Sequence, residues 1–165
     1  MSAEHQENAG QRNARSLFRD MVGKWRGNTK VWFEPDKLED ESPNNSSIRK
    51  VLNDQFILLE YEGGMKGKSI SGIALIGYNT LRDQFEMSWA DSFHTSSFTL
   101  VCTGKAIDHG FSVLGSYDDP SGGPAWGWRT EFTMNGKDSL IITMFNIMPD
   151  GQEAKAVETI LSRQH

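Results

Sequence analysis

The chain has 165 residues, a formal net charge of −5 and a single cysteine, Cys102. One cysteine excludes an intramolecular disulfide and the multi-cysteine zinc motifs, and the acidic balance argues against nucleic acid or an anionic membrane as partners. No apolar run approaches the ~18 residues of a membrane span, and the N-terminus lacks the apolar core of a signal peptide. We therefore expect a cytoplasmic protein with a buried, structural Cys102 thiol.

The first part of the chain is polar. Residues 1–13 contain few apolar side chains and are expected to be a disordered leader, ahead of one domain over residues 14–165. Four apolar residues then recur at helical spacing: Leu17, Phe18, Met21 and Val22. This spacing predicts a short helix, with Ser16 as a candidate cap at its start and Gly23 at its end. We interpret the helix as a plug across one end of the structure that follows.

Beyond Gly23 the apolar pattern changes from helical to alternating, which is typical of β-strands. Ten segments have this pattern: 24–34, 46–52, 55–62, 67–79, 83–91, 96–105, 110–117, 126–135, 138–148 and 154–163. Turn sequences separate them, including Ser42-Pro43-Asn44-Asn45, Gly63-Gly64 and Asn135-Gly136. Short links and the lack of a long helix predict an all-β, up-and-down antiparallel β-barrel of about ten strands, lipocalin-like in form. An open two-sheet sandwich is the alternative.

Trp25 enters the first predicted strand and Arg163 leaves the last one. In a closed barrel these two strands are neighbours, so we expect the Arg163 guanidinium to lie across the Trp25 indole. Such a contact is worth ~0.5–2 kcal/mol, depending on its desolvation. Both residues are therefore predicted to be structural and to seal one end of the barrel.

Several motifs in this order resemble the DUF1579 family, whose members are uncharacterised and mostly bacterial. They are Gly23-x-Trp25-x-Gly27, Glu60-Tyr61-Glu62-Gly63, the segment 71–79 (SGIALIGYN), Trp89-Ala90-Asp91-Ser92 and the final Arg163. The resemblance implies a lipocalin-like (calycin) β-barrel and no established activity. Nitrobindin-like haem barrels share the opening motif, and His94 is the axial-ligand candidate within the folded part. The histidines lack metal-ligand spacing, so we expect neither a metal site nor a cofactor.

The predicted strand 83–91 places one row of side chains on its inner face: Phe85, Met87, Trp89 and Asp91. Asp91 ends this row near a barrel mouth, and His94 follows closely. Either residue is a candidate general base, and Asp91 is also a candidate anchor for a polar ligand group. In the alternative interpretation, Asp91 caps the turn over residues 92–95 through backbone hydrogen bonds.

The strand 126–135 alternates in the same way and predicts an inward aromatic stripe with Arg129 and Glu131 on the outer face. Tyr61 and Tyr78 are candidate interior hydroxyls, and Asn146 is an inward amide that needs a partner. Together these patterns predict the following ligand-binding residues: Tyr61, Tyr78, Phe85, Met87, Trp89, Asp91, Trp126 and Trp128.

Three functions fit these patterns. The first is binding of a small apolar or amphipathic ligand inside the barrel. The second is an enzyme, such as an isomerase, lyase or hydrolase, that uses Asp91 or His94 at the mouth. The third is a protein-interaction module with a packed barrel, in which Trp32, Phe33 or Phe93 contact a partner. A homodimer is a candidate assembly, and neither nucleic acid nor a membrane is an expected partner.

Overall fold

The computed structural model describes residues 7–165. It contains one helix and ten strands: α1 (Ala9–Met21), β1 (Gly23–Glu34), β2 (Lys37–Val51), β3 (Phe56–Met65), β4 (Lys68–Asn79), β5 (Gln84–Asp91), β6 (Leu100–Ile107), β7 (Gly110–Tyr117), β8 (Trp126–Met134), β9 (Ser139–Ile147) and β10 (Glu153–Gln164). Each strand pairs antiparallel with the next, and β1 also pairs with β10. The sheet is therefore a closed barrel, which confirms the predicted fold and shows that the open sandwich is wrong.

The helix begins earlier than the sequence pattern indicated. The Asn8 side chain accepts a hydrogen bond from the Gln11 amide at 2.7 Å and so caps α1 at Ala9, while Ser16 lies inside the helix. Residues 9–13 of the predicted leader are consequently helical, which corrects the predicted boundary, and residues 1–6 lie outside the described part of the chain. No helix within residues 7–165 has the length and apolar character needed to span a bilayer.

The helix closes one end of the barrel, which we call the helix end. Ala14, Phe18 and Met21 are buried in the barrel core, and the Phe18 ring meets Phe85 edge-on at 5.9 Å. The opposite end, which we call the far end, carries the links between β5 and β6 (residues 92–99) and between β7 and β8 (residues 118–125). The helix therefore covers only one of the two ends of the barrel.

Trp25 and Arg163 hold the helix end together. Trp25 is 1% exposed, the Arg163 guanidinium lies 4.2 Å from its ring centroid, and the two residues are register partners. The indole Nε1 donates to the Met21 carbonyl at 3.0 Å, and Arg163 Nη1 donates to the Val22 carbonyl at 2.7 Å. The predicted contact is present, and it also ties the last strand to the end of the helix.

Two predicted turns are strands instead. The segment 42–45 lies inside β2, and the turn before it contains Asp36 at φ 59°. Pro43 is tolerated there because the ladder between β2 and β3 begins only at Asn45, so Pro43 is paired on one side. Gly63-Gly64 likewise belongs to β3, and the chain turns at Lys66 and Gly67, both with positive φ. The start predicted for the sixth strand, residue 96, is also wrong, since residues 92–99 form a loop.

Candidate functional site

The barrel interior contains a cavity of about 50 Å³ towards the far end. Its floor is apolar and includes Leu59, Ala74, Met87, Phe132 and Met144. At roughly 10–15 Å³ for each water, such a cavity holds about three to five water-sized groups. Below it, Phe132 stacks on Phe111 at 4.7 Å and Phe111 stacks on Phe85 at 4.5 Å. This aromatic stack fills the barrel between the cavity and the helix.

One wall of the cavity is a hydrogen-bonded cluster of Tyr61, Asp91 and His94. The Tyr61 hydroxyl donates to Asp91 Oδ2 at 2.8 Å, and His94 Nδ1 lies 2.8 Å from the same oxygen. Trp89 Nε1 donates to the Tyr61 hydroxyl at 3.0 Å. These contacts fix the orientation of both the phenol and the imidazole. We call Tyr61, Asp91 and His94 the acidic cluster.

Asp91 Oδ1 binds the backbone of the loop that follows β5. It accepts the backbone N–H groups of Phe93 at 3.0 Å, of Thr95 at 3.2 Å and of His94. The turn-capping interpretation of Asp91 is therefore confirmed for one carboxylate oxygen, while the other oxygen holds the acidic cluster. Because Asp91 begins the loop that carries His94, the backbone bonds also position the imidazole over the cavity.

The environment of Asp91 favours its charged form. Burial by itself raises the carboxyl pKa, but the hydrogen bond and charge of His94, together with bonds from Tyr61 and the Phe93 amide, lower the pKa to about 2. Burial and the neighbouring Asp91 charge raise the pKa of Tyr61. At neutral pH the cluster consequently holds a carboxylate and a neutral phenol. An Asp91 with such a low pKa and fully engaged oxygens is a poor general base.

Tyr61 can occupy its position because its cross-strand partner is a glycine. Tyr61 on β3 is the register partner of Gly72 on β4, and a Cβ at Gly72 would lie 2.2 Å from Tyr61 Cζ. No other residue leaves room for the ring there. The motif residues Tyr61, Gly72 and Asp91 are thus parts of one arrangement.

An aromatic surface lies beside the acidic cluster. Trp89 stacks on Trp128 at 5.7 Å with an interplanar angle of 16°, and the His94 ring lies 5.8 Å from that of Trp128. The buried Trp128 Nε1 and Thr130 Oγ1 have no hydrogen-bond partner among the described residues. The imidazole thus lies against both indoles, with its ring 5.7 Å from that of Trp89.

A second polar wall, which the sequence pattern did not indicate, faces the same cavity. Ser46 Oγ donates to Asn44 Oδ1 at 2.6 Å, and Asn44 Nδ2 donates to Thr29 Oγ1 at 3.1 Å. Thr29 Oγ1 lies 2.8 Å from Thr159 Oγ1. We call these four residues the hydroxyl row. Asn44 belongs to a segment predicted as a turn, and only its place in the alternation of β2 could have identified it as an inward residue.

The predicted ligand-binding residues do not all meet at this cavity. Tyr61, Met87, Trp89 and Asp91 line it, and Trp128 flanks it through Trp89. The others lie elsewhere: Tyr78 and Phe85 at the helix end, and Trp126 half-buried at the far end. Tyr78 donates to Asp83 and its ring meets Phe85 at 5.1 Å. Asn146 has its expected partner, since it accepts from the Tyr117 hydroxyl at 2.6 Å.

The residues predicted to contact a protein partner lie at the rim of the far end. Phe33 stacks on Phe93 of the 92–99 loop at 6.5 Å, and Phe93 meets the His94 ring edge-on at 4.9 Å. Trp32 is half-buried, with Lys155 Nζ 5.5 Å from its ring centroid. The loop that carries His94 is therefore in contact with the end of β1.

A larger depression of about 1030 Å³ lies on the outer surface of β1 to β5. Its lining mixes both charges, for example Arg26 with Glu60 and Glu62. Tyr61 and Asp91 border it as well, yet their hydrogen-bonded groups belong to the acidic cluster. We assign the candidate site to the interior cavity because the oriented polar groups lie there.

The site does not suit a large cofactor. A cavity of about 50 Å³ holds only about three to five water-sized groups, so a haem does not fit beside His94. The part of the chain that the structure describes also has no group of three His, Cys, Asp or Glu side chains arranged to hold a metal ion.

The fold and the site define a closed, ten-stranded antiparallel barrel with an interior cavity of mixed polarity. The chain belongs to the family described as protein of unknown function (DUF1579), whose model matches residues 11–163. No curated protein matches the sequence.

The solved structures that share the fold include the following two. The S-type phycobiliprotein lyase CPES from Guillardia theta is 14% identical with a TM-score of 0.64, covering 92% of this chain and 93% of that one. Rv2717c from M. tuberculosis is 13% identical, also with a TM-score of 0.64, covering 97% of this chain and 100% of that one. At such low identities the likeness concerns the fold alone.

Proposed function

We propose that this protein binds a small amphipathic molecule in the interior cavity, through the far end of the barrel. The observation that carries this proposal is the lining of one cavity by an apolar floor, the acidic cluster and the hydroxyl row. Buried polar side chains destabilise a barrel core unless they are hydrogen-bonded. Their concentration around a cavity suits recognition of a ligand that carries both polar and apolar groups.

The size of the cavity limits what enters it. A volume of about 50 Å³ accommodates a short molecule or one end of a longer one. Met87 and Met144 are part of the apolar lining, and methionine side chains adapt easily to a ligand because they are unbranched and flexible. The rim residues Phe33 and Phe93 offer apolar surface to a part that extends outside.

Calorimetric titration with 1-hexanol and its isomer 1-methoxypentane tests the proposal. We expect one molecule to bind with a dissociation constant on the order of 1 mM or tighter. Ala74→Val adds two methyl groups to the cavity floor and should abolish binding. Ala90→Val is the matched control, because Ala90 lies on the outer face of the neighbouring strand opposite Ile73. Absence of binding by both probes, or equal binding by both variants, would overturn the proposal.

A second candidate is acid–base catalysis at the same site, favoured by the 2.8 Å contact between His94 Nδ1 and Asp91 Oδ2. In this mechanism His94 Nε2 accepts the proton, and Asp91 is a positioning residue rather than the base. Turnover in a screen of short-chain esters should then be lost in His94→Phe and kept in Ala90→Val. Turnover that His94→Phe leaves unchanged would exclude this mechanism.

The cytoplasmic location, the homodimer and the exclusion of nucleic acid and membranes stay predictions from the sequence.

A further inference from the structure

We propose that the polar group recognised in this cavity is an uncharged hydrogen-bond donor, such as an alcohol hydroxyl, which donates to His94 Nε2. This inference rests on the proposed function and names the chemical class of its ligand. It follows from three features of the walls: the hydrogen positions in the acidic cluster, those in the hydroxyl row and the charges around the cavity.

The acidic cluster fixes which nitrogen of His94 carries the hydrogen. The Asp91 carboxylate only accepts hydrogen bonds, so His94 Nδ1, at 2.8 Å from Oδ2, must be the donor. In the neutral imidazole the other nitrogen, Nε2, is then an acceptor. The described residues supply no hydrogen-bond partner for Nε2, and His94 lines the cavity. This wall therefore offers a ligand an acceptor.

The hydroxyl row offers a donor. Ser46 donates to Asn44, which donates to Thr29. Thr29 and Thr159 have one hydroxyl hydrogen each. One of these hydrogens forms the hydrogen bond between the two oxygens, which lie 2.8 Å apart, and the other forms no hydrogen bond within the hydroxyl row. A hydroxyl group both donates and accepts hydrogen bonds, so an alcohol suits the two polar walls to which His94, Thr29 and Thr159 belong. An ether oxygen can only accept.

The charges around the cavity exclude an anionic group. The lining residues that the structure describes include Asp91 but neither Lys nor Arg, and Lys66 near the rim is paired with Glu39. A carboxylate would thus be buried beside the Asp91 carboxylate, and His94, the one basic side chain of the described lining, is already hydrogen-bonded to Asp91. A cationic group gains little, because both Asp91 oxygens already accept hydrogen bonds from Tyr61, His94 and the loop backbone.

A series of head groups on one chain length tests this inference. We would titrate the protein at about pH 8 with 1-hexanol, 1-methoxypentane, hexanoate and hexylamine, of which the last two are then charged. The alcohol should bind about three- to tenfold more tightly than the isomeric ether, as one net hydrogen bond predicts. Hexanoate and hexylamine should each bind at least about tenfold more weakly than the alcohol. Equal binding of alcohol and ether, or tighter binding of either ion, would overturn the inference.

Variants of His94 separate this inference from the proposed function. His94→Phe keeps an aromatic ring beside the indoles and should abolish the preference for the alcohol while ether binding persists. His94→Gln retains an acceptor oxygen and should keep part of the preference. Near-ultraviolet circular dichroism would verify the fold of each variant. A preference that survives in a folded His94→Phe contradicts the role of Nε2, whereas failure of all four probes with the wild-type protein contradicts the proposed function instead.

Discussion

Asp91→Asn is expected to remove a part of the stability that depends on pH. The bonds from His94, Tyr61 and the Phe93 amide outweigh burial and lower the Asp91 pKa from 3.8 to about 2. A carboxyl whose pKa is lower in the folded state stabilises the fold above its unfolded pKa, and this contribution disappears as the pH falls through the folded pKa. The gap between 3.8 and about 2 corresponds to about 2 kcal/mol in the free energy of unfolding.

Urea unfolding of wild type and Asp91→Asn between pH 6 and pH 2 measures this contribution directly. The contributions of the other carboxyl groups cancel in the difference between the two free energies of unfolding. The wild-type advantage should be constant above about pH 5 and should shrink by about 2 kcal/mol on the way to pH 2. Asp118→Asn, which alters an exposed carboxyl, is the matched control and should show no such change. A difference that stays constant, or that grows in acid, would refute the proposed electrostatic role of Asp91.

Three further predictions concern buried side chains. Trp25→Ala should lower the free energy of unfolding by ~3–5 kcal/mol, because it empties a large buried site and removes the indole that Arg163 contacts. A loss below roughly 1 kcal/mol, typical of surface changes, would show that Trp25 does not close the helix end. Thr130→Val should stabilise the protein by about 1 kcal/mol in chemical denaturation, since the fully buried hydroxyl has no hydrogen-bond partner among the described residues. Destabilisation would mean that the hydroxyl is hydrogen-bonded. Burial raises the pKa of Cys102 to about 12, so a thiol reagent should label this residue only at the rate of unfolding. Fast labelling of the native protein would place the thiol at the surface.

Alternation in the sequence was enough to predict the barrel and the inward face of most strands. On β5, for example, Phe85, Met87, Trp89 and Asp91 all face inward as predicted. Alternation reports the face of a residue and not its depth along the barrel. The register of ten tilted strands sets the depth, and this is why Tyr78 and Phe85 lie at the helix end although they share faces with residues of the cavity.

Local turn preferences explain the main errors. Ser, Pro and Asn favour turns, but Asn44 is held in a strand by its bonds to Ser46 and Thr29 from within the barrel. Residues 9–13 are polar, but the Asn8 cap begins α1 at Ala9, ahead of the first apolar residues of the helical pattern. In both cases hydrogen bonds made by a polar side chain outweigh the composition of the segment, and a pattern of apolar residues contains no information about them.

Nuclear magnetic resonance on protein labelled at its methionine methyl groups tests most directly whether the cavity holds a ligand. With 1-hexanol added, we expect intermolecular nuclear Overhauser effects to the methyl groups of Met87 and Met144, which line the cavity. Met21 and Met134, buried core residues outside that lining, should show none and are internal controls. Contacts limited to surface methyl groups, or no contacts at a saturating concentration, would contradict an interior binding site.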